Sequence, residues 1–483
     1  MKALRQWSLR HARGLAAFYR GVAAHAPAAA PLVRAVGLAR AEAWLRPFER
    51  AAKSAFFDCR MCGQCALSLT GLACPMGCAK QMRNGPCGGV RPDGGCEVRP
   101  TQHCTWLDAT EGDATMRAGH TPSWTQRVAP LDHRRLGRSS WMNAIVGEPA
   151  PAPRNPPAGS AATRSGRAAP DAPVDRLPSG PFEQACAESN FVITVEIAPP
   201  DSPDPAPLLQ RAGRFAGLVD AINITDGAGA NCHMSSVAAA SVLAAAGLTP
   251  VCQVGCRDRN RIAVQGDVLG AAALGVRNVL CLTGDDVSQG DHPEAKPVFD
   301  LDSVNLLNIL RGMRDRGEYA SGRRLERAPR LFLGATANPF VPPYAERIAN
   351  LERKIDAGAQ FIQTQFCFDV PLLEAFMREV RSRGLHRRAA FIVGIGTLGS
   401  AKALRWMADH VPGVHVPVAL TARIGAAADQ RREGIRVCVE TLHALRRIEG
   451  VAGVHLMGHR NEDALAQVIL ESGLRSTAAR QLA

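Results

Sequence analysis

The feature that most constrains this chain is an eightfold alternation in its second half. Short runs rich in β-branched and apolar residues recur at 191–197, 219–225, 249–254, 276–282, 330–335, 360–366, 390–395 and 451–457. Stretches with helical periodicity separate them, among them 236–246, 262–274, 303–314, 344–357, 371–383 and 429–449. Parallel strands need a crossover between them, usually a helix, so repeated strand–helix units imply a parallel sheet covered by helices. Eight such units fit a closed (β/α)8 barrel, the TIM-barrel architecture, better than an open doubly wound sheet. The expected fold class is therefore α/β.

A barrel of this kind carries its site where the strands end. Glu196 closes the first run, Thr225 and Asp226 the second and Gln253 the third. Thr283, Gly284 and Asp285 follow the fourth, Asn338 the fifth, Gln365 the sixth, and Gly394 and Gly396 the seventh. The runs are otherwise apolar. One polar residue at a strand end means little, but a set recurring at one rim predicts a polar site inside an apolar mouth.

The N-terminal third obeys a different rule. Eight of the 15 cysteines fall at Cys59, Cys62, Cys65, Cys74, Cys78, Cys87, Cys96 and Cys104, opening as C-x2-C-x2-C and continuing as C-P-x2-C and Asn84-Gly85-Pro86-Cys87-Gly88-Gly89. Clustered thiols with no secretory signal point to metal ligation in a reducing compartment, and a cytoplasmic location is expected. A backbone this rich in glycine is expected to form no hydrophobic core. Eight thiolates suit two 4Fe-4S clusters, with two tetrahedral zinc sites as the alternative, and the triplet spacing favours iron–sulfur. Between the halves, residues 146–180 hold eight Pro among 35 residues and no aromatic, the composition of a flexible linker. The expected organisation is an N-terminal helical segment at 1–50, a cysteine-rich metal-binding domain at 51–145, a linker at 146–181 and the barrel at 182–483.

Composition narrows the partners. With 46% hydrophobic and 21% charged residues, and no apolar run of the roughly 18 residues a spanning helix needs, a soluble protein is expected. The net charge of +13 would raise nucleic acid as a partner, but an aromatic content of 5% with three Tyr supplies no stacking platform. Part of the excess is local, since the first 41 residues hold seven Lys or Arg and no acid. There Leu4, Trp7, Leu15, Phe18, Tyr19 and Val22 fall near helical spacing with Leu9 on the basic side, and this stripe is expected to pack on the rest of the protein.

The run Val195-Glu196-Ile197-Ala198-Pro199-Pro200, then Thr225-Asp226-Gly227, Leu282-Thr283-Gly284-Asp285, Lys354-Ile355-Asp356-Ala357-Gly358-Ala359 and Thr364-Gln365-Phe366-Cys367-Phe368-Asp369, resembles the methylenetetrahydrofolate reductase family over about 182–473. Residues 57–106 resemble the cysteine-rich domain fused to or partnered with such reductases. The resemblance implies flavin-dependent reduction of 5,10-methylenetetrahydrofolate to 5-methyltetrahydrofolate, a step of one-carbon metabolism that supplies methionine synthesis. Glu196 matches the general acid that protonates the departing folate nitrogen. Asp285 matches an acid beside the flavin's pyrimidine edge, where negative charge favours hydride donation and a cationic folate intermediate. Gln365 matches a pterin-binding amide. Thr225, Gln253, Thr283, Gly284, Asn338 and Lys354 fall at flavin positions, Lys354 toward phosphate.

Several positions depart from the family pattern. Gln253 stands where His is frequent, Thr283 where a basic residue is, Asn338 where an aromatic is, and Arg347 where an acid is. FAD is expected, with FMN as the alternative. The implied electron source is NAD(P)H or a carrier protein such as a ferredoxin, the implied assembly a homo-oligomer or a complex with a redox partner. The other readings are an electron-transfer or docking scaffold with a folate-inactive barrel, and another folate methyl-transfer or demethylation barrel.

Overall fold

The computed structural model describes residues 2–117, 128–146 and 178–475, apart from 189, 398, 412 and 459. The expected linker lies almost wholly outside the described residues. The chain divides into two compact units, one of Met1–Pro86 with Arg99–Leu177, the other of Cys87–Val98 with Pro178–Ala483. The short segment Cys87–Val98, placed by sequence with the other cysteines, thus groups with the barrel. Val90 and Cys96 form an antiparallel bridge in it, and Arg347 Nη2 donates to Val90 O at 3.2 Å.

The second unit is a closed parallel barrel of eight strands in sequence order: β1 (Val192–Ile197), β2 (Ala221–Ile224), β3 (Pro250–Gly255), β4 (Asn278–Leu282), β5 (Phe332–Ala337), β6 (Phe361–Phe366), β7 (Ala390–Ile395) and β8 (Val451–Leu456). β8 closes onto β1 with Thr194 opposite His455. Each strand falls within two residues of its expected ends. Helices between the strands bury one face of each; Asn260, Asp302, Asp369, Ser400 and Asp429 cap the helices that follow them by accepting backbone N–H groups.

Strand residues alternate sides, so every second residue points into the barrel, and the interior changes character along its axis. The floor is apolar: Val192, Val251, Phe332, Phe361 and Ile392 pack around Phe182, which the helix Pro181–Ala187 pushes into the open end. The Phe182 ring meets Phe332 and Phe361 edge-on at 5.5 and 5.4 Å. Two residues further along, Thr194, Asn223 and Gln363 form a buried polar belt. Two further still lie Glu196, Thr225 and Gln365. This change from apolar to polar in steps of two gives the barrel a sealed floor and a chemically equipped mouth.

The first unit contains the helices Lys2–Arg10, Ala12–His25, Leu38–Phe57, Thr105–Arg117 and Ser140–Val146, with the cysteine-bearing loops between the third and fourth. It has a core after all. Ala12, Leu67, Leu72 and Cys74 form a buried cluster, and fully buried Trp106 donates its indole N–H to Met82 O at 3.2 Å. The expected N-terminal stripe packs in part: Leu15 packs against this cluster and Tyr19 is half-buried, whereas Leu4, Trp7, Phe18 and Val22 are exposed, and Leu9, expected on the basic side, is buried with Ala12 and Ala16. The helix breaks at His11, so one period cannot be carried across Lys2–Arg10 and Ala12–His25. Ala12 and Leu15 meet Leu67, Leu72 and Cys74 of the cysteine-bearing loops. Among the described residues no helix is long and apolar enough to cross a membrane.

Candidate functional site

Glu196, next to last in β1, stands at the barrel mouth with 28% of its side chain exposed. Gln253 Nε2, from β3, donates to Glu196 Oε2 at 3.1 Å, and His455 Nε2, from β8, lies 3.7 Å from the same oxygen. His455 is buried, and its Nδ1 is 2.8 Å from Thr194 Oγ1. That hydroxyl accepts from Gln363 Nε2 at 3.4 Å and lies 3.5 Å from Val454 O, the longer of its two possible donor contacts. With the hydroxyl hydrogen directed along the shorter contact, to Nδ1, the imidazole proton falls on Nε2, which faces Glu196 as a donor. Behind it, Asn223 and Gln363 exchange two amide hydrogen bonds of 2.6 and 3.2 Å. Neither His455 nor Thr194 was singled out in the sequence. The only signal was a polar residue at the second inward position of an otherwise apolar run.

The loops after β2, β3 and β4 are tied into one rim. Asp226 accepts Gly255 N at 2.7 Å, Ser236 Oγ at 3.1 Å and both terminal nitrogens of Arg259 at 2.6 and 3.0 Å. It acts as a bolt between β2 and β3. Asp285 accepts Gly229 N at 2.9 Å and is otherwise exposed at the rim. Arg257 Nη1 donates to Gly227 O at 3.1 Å. Gly284 has φ +99°, and a Cβ there would lie 2.8 Å from that of Arg257, so both conformation and space require glycine.

The other expected residues divide into two groups. Thr225 Oγ1 is buried at the mouth and has no partner. Gln365 Oε1 accepts Phe366 N at 3.0 Å, and Thr283 Oγ1 accepts Ser303 N at 3.4 Å. Asn338 and Lys354 face protein. Asn338 Nδ2 donates to Gly413 O at 2.8 Å, and the Lys354 ammonium donates to Thr336 O at 2.6 Å. Burial pushes the Lys354 ammonium down to about 8.

In the first unit, Cys59, Cys62, Cys65 and Cys74 line one cavity together with Glu49, Lys53, Arg138 and Ser140. A hydrogen bond with Cys74 holds the Cys59 thiol down at about 6, whereas burial pushes Cys62 up. Lys53 Nζ lies 2.6 Å from Glu49 Oε1, 2.7 Å from Ser140 Oγ and 3.8 Å from Cys65 Sγ. Burial alone would lower its pKa, but Cys65, Tyr19 and Glu49 hold the ammonium above its ordinary value. Cys78 and Cys104 belong to this unit but lie outside that lining, and Cys87 and Cys96 belong to the Cys87–Val98 segment of the barrel unit. Among the described residues no three Cys, His, Asp or Glu side chains converge as a single metal ion requires.

Residues 181–473 match the family model described as "Methylenetetrahydrofolate reductase", and residues 39–133 match one described as "Methylene-tetrahydrofolate reductase C terminal". The "Probable methylenetetrahydrofolate reductase (NADPH)" of Caenorhabditis elegans is 23% identical over 249 residues, 50% of this chain and 34% of that one. "Methylenetetrahydrofolate reductase 2" of Schizosaccharomyces pombe is 26% identical over 245 residues, 47% and 36% of the two chains. The chain therefore spans about a third of the length of these curated relatives. A solved structure described as "Uncharacterized protein from Clostridium thermocellum binds two copies of 5-methyl-5,6,7,8-tetrahydrofolic acid" aligns with a TM-score of 0.43 at 15% identity, covering 60% of this chain and 98% of that one.

Proposed function

Because the chain belongs to the methylenetetrahydrofolate reductase family, we propose that its barrel reduces 5,10-methylenetetrahydrofolate to 5-methyltetrahydrofolate with a flavin, FAD or FMN, at the barrel mouth. The observation that carries this reading is the Glu196–Gln253–His455 constellation at the mouth of a closed barrel with an apolar floor. The fit to a flavin rests on Thr225 Oγ1, a buried hydroxyl without a partner, which the polar edge of a flat heteroaromatic ring would satisfy.

The bound flavin would supply the hydride. The chain's own residues handle the proton and the charge. Gln253 engages one oxygen of Glu196, so the other carries the proton to the folate nitrogen as the methylene bridge opens. His455 holds that carboxyl from behind through an imidazole fixed by Thr194. Asp285, at the exposed rim, places negative charge where a cationic folate intermediate develops. Gln365 offers its amide to the pterin once its oxygen leaves Phe366 N. Lys354 acts from below, fixing the carbonyl of Thr336 near the end of β5.

The same reading places a 4Fe-4S cluster among Cys59, Cys62, Cys65 and Cys74, as a relay of single electrons between a carrier protein and the flavin. Zinc needs four donors converging on one point at about 2.3 Å, whereas a four-iron cluster gives each thiolate its own iron, which suits thiols spread around a cavity. NAD(P)H is the alternative donor.

Absorption spectra with flavin, iron, sulfide and zinc analysis of the full chain, followed by anaerobic mixing of the reduced protein with methylenetetrahydrofolate, test the proposal. One flavin per chain, reoxidised by the folate, is the expected result. A protein that binds flavin but is not reoxidised by the folate would refute the reductase reading.

A further inference from the structure

A buried Lys–Glu pair is a weak source of stability, because removing two charges from water costs about as much as their attraction returns. Lys53 and Glu49 are nevertheless 2% and 1% exposed, one helical turn apart on Leu38–Phe57, on the wall of the cysteine cavity. The pair is held asymmetrically. Glu49 is enclosed by the Ser139 and Ser140 hydroxyls at 2.5 and 2.6 Å and by Trp141 N at 3.3 Å, which disperse its charge on the side of the helix Ser140–Val146. The ammonium of Lys53 stands between the Tyr19 and Trp141 rings, 5.8 and 5.2 Å from their centroids, and 3.8 Å from Cys65 Sγ. The other cation of the lining, Arg138, is half exposed and faces Glu42 at 3.7 Å, so solvent screens it.

We propose that Lys53 is a positioning residue for the cysteine cavity, its fixed positive charge beside Cys65 raising the reduction potential of the cluster held by Cys59, Cys62, Cys65 and Cys74. The inference rests on the cluster reading above. Reduction moves one electron from a low-potential one-electron donor onto the cluster, with no bond made or broken and no proton taken up, so the negative charge on the cluster and its four thiolates grows by one. A cation in a poorly screened site stabilises the more negative state more. Glu49 opposes this, and the serines and Trp141 N that surround it keep the opposition partial.

The test is an EPR-monitored redox titration of the full chain with dithionite, alongside iron and sulfide analysis and circular dichroism. Lys53→Met is expected to keep its cluster and secondary structure while the reduced-to-oxidised ratio at a given potential falls at least tenfold, a downward shift of 59 mV for a one-electron couple. Glu49→Gln is expected to shift the potential upward, and Lys53→Arg to stay near wild type. An unchanged potential in Lys53→Met with a full cluster overturns the inference. If Lys53→Met assembles no cluster, Lys53→Arg and Glu49→Gln decide: restored iron in the first with an upward shift in the second supports the role, and an empty Arg variant or an unmoved Gln variant overturns it. Wild-type protein with zinc or no metal defeats the cluster reading itself, whatever the variants do.

Discussion

Gln253 Nε2 and Glu196 Oε2 lie 3.1 Å apart, linking β3 to β1 at the barrel mouth. The engaged oxygen is the one that His455 also faces, so the proton for catalysis belongs on the other. Glu196→Gln should keep flavin content and donor-driven flavin reduction, while the folate half-reaction slows by about 10²- to 10⁴-fold. Rapid-mixing absorbance on each half-reaction reads this directly, and a folate rate equal to wild type would remove Glu196 from the acid role.

Thr194 is fully buried behind the mouth and fixes the His455 ring. Thr194→Val should therefore leave flavin binding intact, lower folate turnover by about five- to tenfold, the worth of one neutral hydrogen bond, and alter its pH profile. Thr194→Ser should recover most of the loss. Equal pH profiles in Thr194→Val and wild type would show that His455 needs no such anchor.

Phe182 packs into the barrel floor. Phe182→Ala should cost about 3–5 kcal/mol of barrel stability in urea denaturation. The half-reaction rates measured well below the unfolding transition should not change. A loss under 1 kcal/mol would mean that the floor recloses without the ring.

Cys438 is buried in the helix Gln430–Arg446, and burial alone pushes its thiol from 9.0 up to about 12. A raised folded-state value means that the neutral thiol favours the native state fully below pH 9, and that this contribution fades as pH rises toward 12, by about 1.4 kcal/mol per pH unit for one site. Wild type should thus be more stable than Cys438→Ala at pH 7.5, by an amount that narrows between pH 9 and 11. A constant gap across that range would contradict the assignment.

The barrel was legible because its evidence is local. Each of the eight β-branched runs carries its own signal, and the residues at their ends, Glu196, Gln253 and Thr225, need only the rule that barrel sites gather at one rim. What escaped was what depends on contacts between distant segments. Nothing in the spacing of Glu49 and Lys53 marks them as buried; the hydroxyls that hold Glu49 belong to Ser139 and Ser140, some ninety residues on. His455 gains its meaning only from Thr194, 261 positions away. Spacing likewise counted Cys87 and Cys96 with the other six, whereas the segment carrying them groups with the barrel. The N-terminal stripe held at Leu15 and Tyr19 alone for a different reason: a break at His11 reset the helical phase, which buries Leu9, Ala12 and Ala16 and leaves Leu4, Trp7, Phe18 and Val22 exposed.

The floor closes the barrel at one end. Among the described residues Phe182 and the rings around it form an apolar layer below the belt of Thr194, Asn223 and Gln363, so in the proposed reaction a proton reaching Glu196 would enter from the mouth, the side open to the pterin. In that proposed reaction a folate lying over the flavin would close that doorway. Each turnover of the proposed reaction would use the proton taken on before the substrate settled, and recharging the acid would become part of product departure.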